Sequence, residues 1–230
     1  MLILGLVLEI RDKFYEMLEL QLVLNNETNG LEWTKGYNKN NKLIDWNRCI
    51  YMESAELIDS FSWKHWKNIN SATDWDNVYI ELVDIWHFIL SLKLESNQNN
   101  IVNTDELSKN EFTKLKNLKA QENIYDILEI TRELINNTSS QNSDLNKTIE
   151  IYFRLCTSCG MSFDNIYDLY IGKNVLNKFR QDNGYKTGKY IKIWNGKEDN
   201  QIMMQIMQSL EKINFNILYN ELEVEYKKVS

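Results

Sequence analysis

The sequence predicts an all-α fold, and three observations carry that expectation. The 230 residues include no proline, so no position removes a helix donor or clashes with the preceding turn. Apolar residues recur at spacings of three and four through most of the chain, the period of one helix face. No stretch sustains the alternation of a half-buried strand, and strand signals are weak throughout. A chain of this length can bury one sizeable core, or one core with a smaller attached lobe.

The elements follow in order. Leu2 to Leu24 is helix-periodic, and the run Asn25-Asn26-Glu27-Thr28-Asn29-Gly30 is expected to break it. A polar loop reaches about Leu43. Asp45 is placed to cap a helix from Trp46 to Phe61, and Asp74 to cap one from Trp75 to about Leu94. Trp63 to Ile69 forms an aromatic-rich connector between them. Two helical stretches are expected near Glu106 to Leu118 and Glu122 to Ile135, then a linker from Asn136 to Asp144. Leu145 to Cys159 is helical, with Gly160 as its stop, and Ser162 to Gln181 is the next helix. Asp182 to Asn195 reads as a loop, and the remainder from Asp199 as two helices.

Composition narrows the function. A net charge of −7 argues against a general nucleic-acid binder, which would carry a basic surface. Cys49, Cys156 and Cys159 are too few for a disulfide framework. They point to a reducing cytoplasm and, for the lone Cys156-x-x-Cys159, to buried thiols. The apolar stretch Met1 to Leu8 leads straight into Glu9 and Arg11-Asp12-Lys13 without a basic flank. It reads as a helix start, not a signal peptide. No run approaches the ~20 apolar residues that span a bilayer, so no membrane partner is expected.

The informative residues are four acids. Glu53 and Glu56 lie three residues apart, as do Glu81 and Asp84, and on a helix such pairs share a face. Their surroundings are apolar: Glu81 and Asp84 sit inside Val78-Tyr79-Ile80-Glu81-Leu82-Val83-Asp84-Ile85-Trp86. Unpaired carboxylates are costly to bury and repel one another. A divalent cation resolves both problems, and hard oxygen donors select Mg²⁺, with Mn²⁺ as a substitute. The bland reading, ordinary acids on amphipathic helices, fits any single pair better than it fits the joint pattern. A di-iron bundle would want a Glu-x-x-His motif from each of two helices. His65 and His87 do not supply it, since neither lies three residues after a Glu.

A second segment has the opposite charge. Gly172 to Lys197 holds seven basic residues against one acid, Asp182, and four of the eight glycines. Such a segment can pair with phosphate oxygens through Arg forks and Lys point charges, and its glycines suit a closing motion. No GxxxxGK[ST] loop is present. Read alone, the segment is equally a solvated surface.

Together these residues resemble a known family. Glu53-x-x-Glu56, then 24 intervening residues, then Glu81-x-x-Asp84 is similar to the magnesium signature of the all-α NTP pyrophosphohydrolases. Leu20-Gln21, Asn25, Glu27 to Gly30, Trp46 to Glu53, Phe61 to Lys67, Glu81 to Phe88, Gly172 to Tyr185 and Trp194 to Asn200 narrow the resemblance to dimeric dUTPases, nearest to the bacterial members. The resemblance implies a homodimer with a four-helix-bundle-like rigid core and a mobile helical lobe. It implies one all-α domain over 1–230, its core about 1–95 and 145–182, its mobile parts about 96–144 and 183–230. It implies Mg²⁺-dependent hydrolysis of dUTP and dUDP to dUMP, with Glu53, Glu56, Glu81 and Asp84 as metal ligands. Glu53 is the expected general base, with Glu56 able to exchange roles with it. Gln21, Asn25, Trp63, Phe88 and Asn177 would hold the nucleoside. Lys173, Arg180, Tyr185, Lys192 and Asn200 would contact phosphates. Trp63 and Phe88 could equally be core aromatics, and Gln21 and Asn25 a helix end with its cap. His87 reads as a buried hydrogen-bonded side chain, and Trp33, Trp75 and Trp86 as packing residues. Competing functions are a dCTPase or broad NTP pyrophosphohydrolase, with the same chemistry behind a different base pocket, and a non-enzymatic nucleotide-sensing module.

Overall fold

The computed structural model describes residues 2–67, 72–96 and 123–229, with residues 2–8 described by their backbone alone. The helix expected near Glu106 to Leu118 lies outside these residues. The described residues form eight α-helices and one two-stranded hairpin, so the chain is predominantly helical. They group into two compact units, Met1–Ile166 and Tyr167–Ser230.

In the first unit, α1 spans Leu2–Asn29, α2 Trp46–Asp59, α3 Trp75–Glu95, α4 Ile124–Ser139 and α5 Leu145–Ser158. The caps fall where the sequence places them. Asp45 accepts from Arg48 N and Asp74 from Asn77 N, filling orphan donors at the starts of α2 and α3. α3 is apolar on nearly every side because it is packed on several: α1, α2 and α5 all lie against it, and α4 packs on α2 and α5. Its centre is Trp86, fully buried and stacked on Tyr152 at 4.9 Å, with Phe153 at 5.1 Å and Phe14 at 6.0 Å. Trp33 is buried too, edge-on to Trp46 at 5.7 Å, and Trp75 meets Phe61 edge-on at 5.9 Å. All three tryptophans are packing residues, as expected.

Several boundaries differ from the expectation: α4 runs to Ser139, past Ile135, α2 stops at Asp59, short of Phe61, and α1 differs most. α1 does not stop at Leu24 but runs on through Asn25 and Asn26 to Asn29. Tertiary contacts override the poor helix propensity of this polar run. Asn25 is 3% exposed and bonded to Ser91, and Asn26 accepts from the indole of the buried Trp33 at 3.0 Å. The helix stops at Gly30, whose φ of +94° suits glycine and whose Cα closely faces Lys39.

The thiols behave as expected: Cys156 and Cys159 are buried and unbridged. Cys49, on α2, is half-buried, and burial, reinforced by the nearby Glu53, pushes its thiol up to about 11. On the order of one molecule in a thousand carries the thiolate at pH 8. Alkylation by iodoacetamide at pH 8, followed by intact mass, is therefore expected to be far slower than for free cysteine. A rate equal to the free thiol's would show that Cys49 is not shielded.

The second unit holds most of α6 (Phe163–Asp182), β1 (Ile193–Trp194), β2 (Lys197–Glu198), α7 (Asp199–Ser209) and α8 (Phe215–Tyr226). The hairpin departs from the loop expected over Asp182 to Asn195, where strand signals are weak. Ile193 pairs with Glu198 and Trp194 with Lys197 across Asn195-Gly196, whose φ values are +50° and +83°. A two-residue turn with both centres left-handed is the type that Asn-Gly favours. The glycines of the basic segment also differ from one another. Gly184 and Gly188 flank a single 3₁₀ turn at φ +85° and +71°. Gly172 instead lies inside α6, where a Cβ would fall 2.3 Å from Met207 Sδ. It is a close-packing glycine, not a hinge.

Candidate functional site

α2 and α3 bring carboxylates together. Oxygens of Glu53, Glu81 and Asp84 lie within 4.8 Å of one another. Glu81 is only 7% exposed and accepts from Asn77 Nδ2 at 3.2 Å, an amide that also donates to Ser60 Oγ at 2.8 Å. On α3 the neighbouring Ile80, Leu82, Val83 and Ile85 are buried as well. Glu56 stands apart: it is exposed and lies outside the converging trio. Three hard oxygen donors at this spacing, partly withdrawn from water, suit a Mg²⁺-like ion.

Further along α3 is a second polar group in the same unit. Gln21 and Asn25 from α1 meet His87 and Ser91 from α3, and all four are buried. Gln21 Nε2 donates to Asn25 Oδ1 at 3.1 Å and to Ser91 Oγ at 3.0 Å. Asn25 Nδ2 donates to Ser91 Oγ at 3.0 Å, and His87 Nδ1 lies 2.7 Å from Gln21 Oε1. His87 is thus the buried, hydrogen-bonded side chain expected of it. Asp84, His87 and Ser91 follow one another at three and four residues, so the acid and the two residues that meet the α1 amides share one stripe of α3. Phe88 is half-buried and stacked on Trp46 at 6.0 Å, and Trp63 is half-buried, edge-on to Trp66 at 5.4 Å.

The remaining predicted residues, Lys173, Asn177, Arg180, Tyr185, Lys192 and Asn200, lie in the second unit. Three of them are joined. Asn200 Oδ1 accepts from Lys173 Nζ at 2.9 Å and from Arg180 Nη2 at 3.2 Å, with all three side chains buried. Arg180 also reaches Asn177 Oδ1 at 3.3 Å, and its guanidinium lies over the Tyr185 ring at 5.7 Å. Lys192 is exposed and pairs with Glu198 at 3.1 Å.

Sequence reasoning missed the residue that organises this cluster. Asp199 is fully buried and grips Arg180 with both oxygens, each at 2.7 Å, while Tyr190 donates to it at 2.8 Å. Burial raises its carboxyl, but the guanidinium and the Tyr190 hydroxyl outweigh burial and hold it below the usual carboxylate range. Burial, together with the Asp199 charge, drives the Tyr190 phenol well above its ordinary value. In the sequence Asp199 reads as a helix start within the family-like stretch Trp194 to Asn200, with no role of its own. Ser91 was missed as well, although a lone hydroxyl seven residues after Asp84 in an apolar helix was a signal.

A helical chain that converges carboxylates from two neighbouring helices, and keeps amide and cationic groups buried, belongs among proteins built to handle charged ligands. Comparison with known proteins makes the class definite. The model of the dUTPase family matches residues 13–185, a span that includes both acid pairs and the Gln21 and Asn25 amides. The chain belongs to the dUTPase family, the dimeric dUTPases it resembles, and is thereby placed among nucleotide hydrolases. No curated protein matches the sequence. Among the described residues no helix is long and apolar enough to cross a membrane.

Proposed function

We propose that this protein hydrolyses dUTP, and dUDP, to dUMP with Mg²⁺, acting as a homodimer and keeping uracil out of DNA. The observation that carries the reading is the convergence of Glu53, Glu81 and Asp84 within 4.8 Å in a chain of the dUTPase family. These three side chains would hold the ion, which when bound would supply the charge that neutralises phosphate oxygens and acidifies nearby water. Glu56, one helical turn from Glu53 and open to solvent, supplies a further ligand or takes the proton of the attacking water. The trio's geometry favours ligand duty for Glu53 and leaves the base role to Glu56, the reverse of the first expectation. Gln21 and Asn25 read the base edge, with Trp63 and Phe88 beside the nucleoside, and Asn177 is a further nucleoside contact. Lys173, Arg180, Tyr185, Lys192 and Asn200 balance phosphate charge.

A substrate panel of all dNTPs and NTPs tests this, with products read by ion-exchange chromatography. The expected result is conversion of dUTP to dUMP and pyrophosphate with Mg²⁺, loss of turnover in EDTA, and recovery on adding Mg²⁺ back. Preference for dCTP, or equal turnover of many nucleotides, would overturn the uracil assignment. Turnover unaffected by chelation would overturn the metal reading.

A further inference from the structure

Two pyrimidines pose a problem for any pocket that reads bases with amides. Uracil offers an N3–H donor beside an O4 acceptor, and cytosine offers an N3 acceptor beside an N4–H₂ donor. The two rings have nearly the same shape with that pair inverted. A carboxamide can invert as well, because a half-turn about its last bond exchanges the oxygen for the NH₂. Two amides free to turn would accept either base. Discrimination therefore requires something that fixes their polarity.

The buried network on α1 and α3 contains such a device. Ser91 Oγ donates its one proton to the carbonyl of His87 at 2.8 Å, the nearer of its two possible acceptors, Asn25 Oδ1 lying at 3.4 Å. Having spent that proton, the hydroxyl offers only lone pairs to its other neighbours. The groups facing it at 3.0 Å from Gln21 and from Asn25 must then both be NH₂. That places Gln21 Oε1 towards His87, and the 2.7 Å contact requires the His87 Nδ1 to carry a proton. Inverting one amide alone would set like atoms against each other where Gln21 meets Asn25, and inverting both would face Ser91 with two carboxamide oxygens for its single proton. Inverting Gln21 would also require the His87 ring to move its proton from Nδ1 to Nε2. Ser91 has no exposed surface and His87 is 4% exposed, so water does not readily substitute for either, and a mismatched buried polar pair is expensive.

We propose that Ser91 and His87 are positioning residues that lock the polarity of the Gln21 and Asn25 amides, and so set the preference for uracil over cytosine. The proposal rests on the reading of Gln21 and Asn25 as base-contacting groups, and extends it to two residues that act through them.

The test compares kcat and KM for dUTP and dCTP in the wild type, Ser91→Ala, Ser91→Thr and His87→Phe, with Mg²⁺ present. Ser91→Ala and His87→Phe are each expected to lower the ratio of kcat/KM for dUTP over dCTP by about tenfold, mostly through KM. Ser91→Thr, which keeps the hydroxyl, retains the ratio. A purely structural role lowers turnover of both nucleotides alike and leaves their ratio unmoved. That result in Ser91→Ala and His87→Phe would overturn the proposal, and if Ser91→Ala does not fold, His87→Phe and Ser91→Thr decide it. A wild type that shows no preference for dUTP would instead sink the underlying reading of the pocket, and the proposal with it.

Discussion

Glu81→Gln and Asp84→Asn are each expected to lower kcat for dUTP by about 10²–10⁴-fold, because the charge stabilisation an ion brings is worth several kcal/mol, at about 1.4 kcal/mol per decade. Both replacements keep shape and remove charge, so the helix packing is retained. A second measurement separates loss of the ion from loss of the fold. Crowded carboxylates repel one another in the absence of a cation, so the apo variants should melt no lower than the apo wild type. Mg²⁺ should raise the Tm of the wild type by mass action and leave that of the two variants unchanged. Glu56→Gln provides the contrast, since this side chain is exposed and outside the trio. It should keep the Mg²⁺-induced rise in Tm while losing turnover, the pattern of a base and not of a principal ligand. If Glu81→Gln turned over dUTP at the wild-type rate, the carboxylate trio would have no part in the chemistry.

The second large effect is on stability. Arg180→Ala leaves the fully buried Asp199 with its charge and without its guanidinium, and breaking a buried pair in this way costs about 3–5 kcal/mol. Urea denaturation followed by circular dichroism should show that loss. Replacing both partners, Arg180→Met with Asp199→Leu, should recover most of it, because a well-packed apolar pair avoids the desolvation of two charges. Activity need not recover with stability, and the gap between them isolates what Arg180 does for substrate. The pH dependence has a definite sign. The Asp199 carboxyl is depressed in the folded protein, so its stabilising contribution is complete above the ordinary unfolded value, about pH 4. It is lost only as the pH falls through the lower folded value. A double variant as unstable as Arg180→Ala would show that the deficit does not come from the orphaned carboxylate.

Much of the architecture was legible because helices announce themselves locally. Asp45 and Asp74 cap helices through short-range hydrogen bonds, and apolar spacing is a property of neighbouring residues. The acid trio was legible for the same reason: pairs three apart on two helices, set in apolar surroundings. What escaped depended on distant partners. Asn25 and Asn26 look like helix breakers until Ser91 and Trp33, 66 and 7 residues away, supply their hydrogen bonds. Asp199 looks like a helix start until Arg180 folds back onto it. The hairpin is the exception, since Asn195-Gly196 is a local signal. It was overlooked because strands of two residues are too short to show alternation. The position of Glu56 was open for a geometric reason. A three-residue spacing guarantees a shared helix face, but only the neighbouring helix decides which member of the pair meets the other acids.

The stripe on α3 also acts as a ruler. Asp84 and Ser91 are separated by seven residues of continuous helix, roughly 10 Å of rise, and no loop intervenes to stretch or shorten that interval. The gap between the end that would grip a phosphate and the end that would feel a base is therefore built into the rod. Exchanging side chains can retune either end, but only adding or removing residues within the rod can change the length it measures. For the proposed ligand, this favours a small ring at a set reach from its phosphate chain, and places a bulkier two-ring base out of gauge.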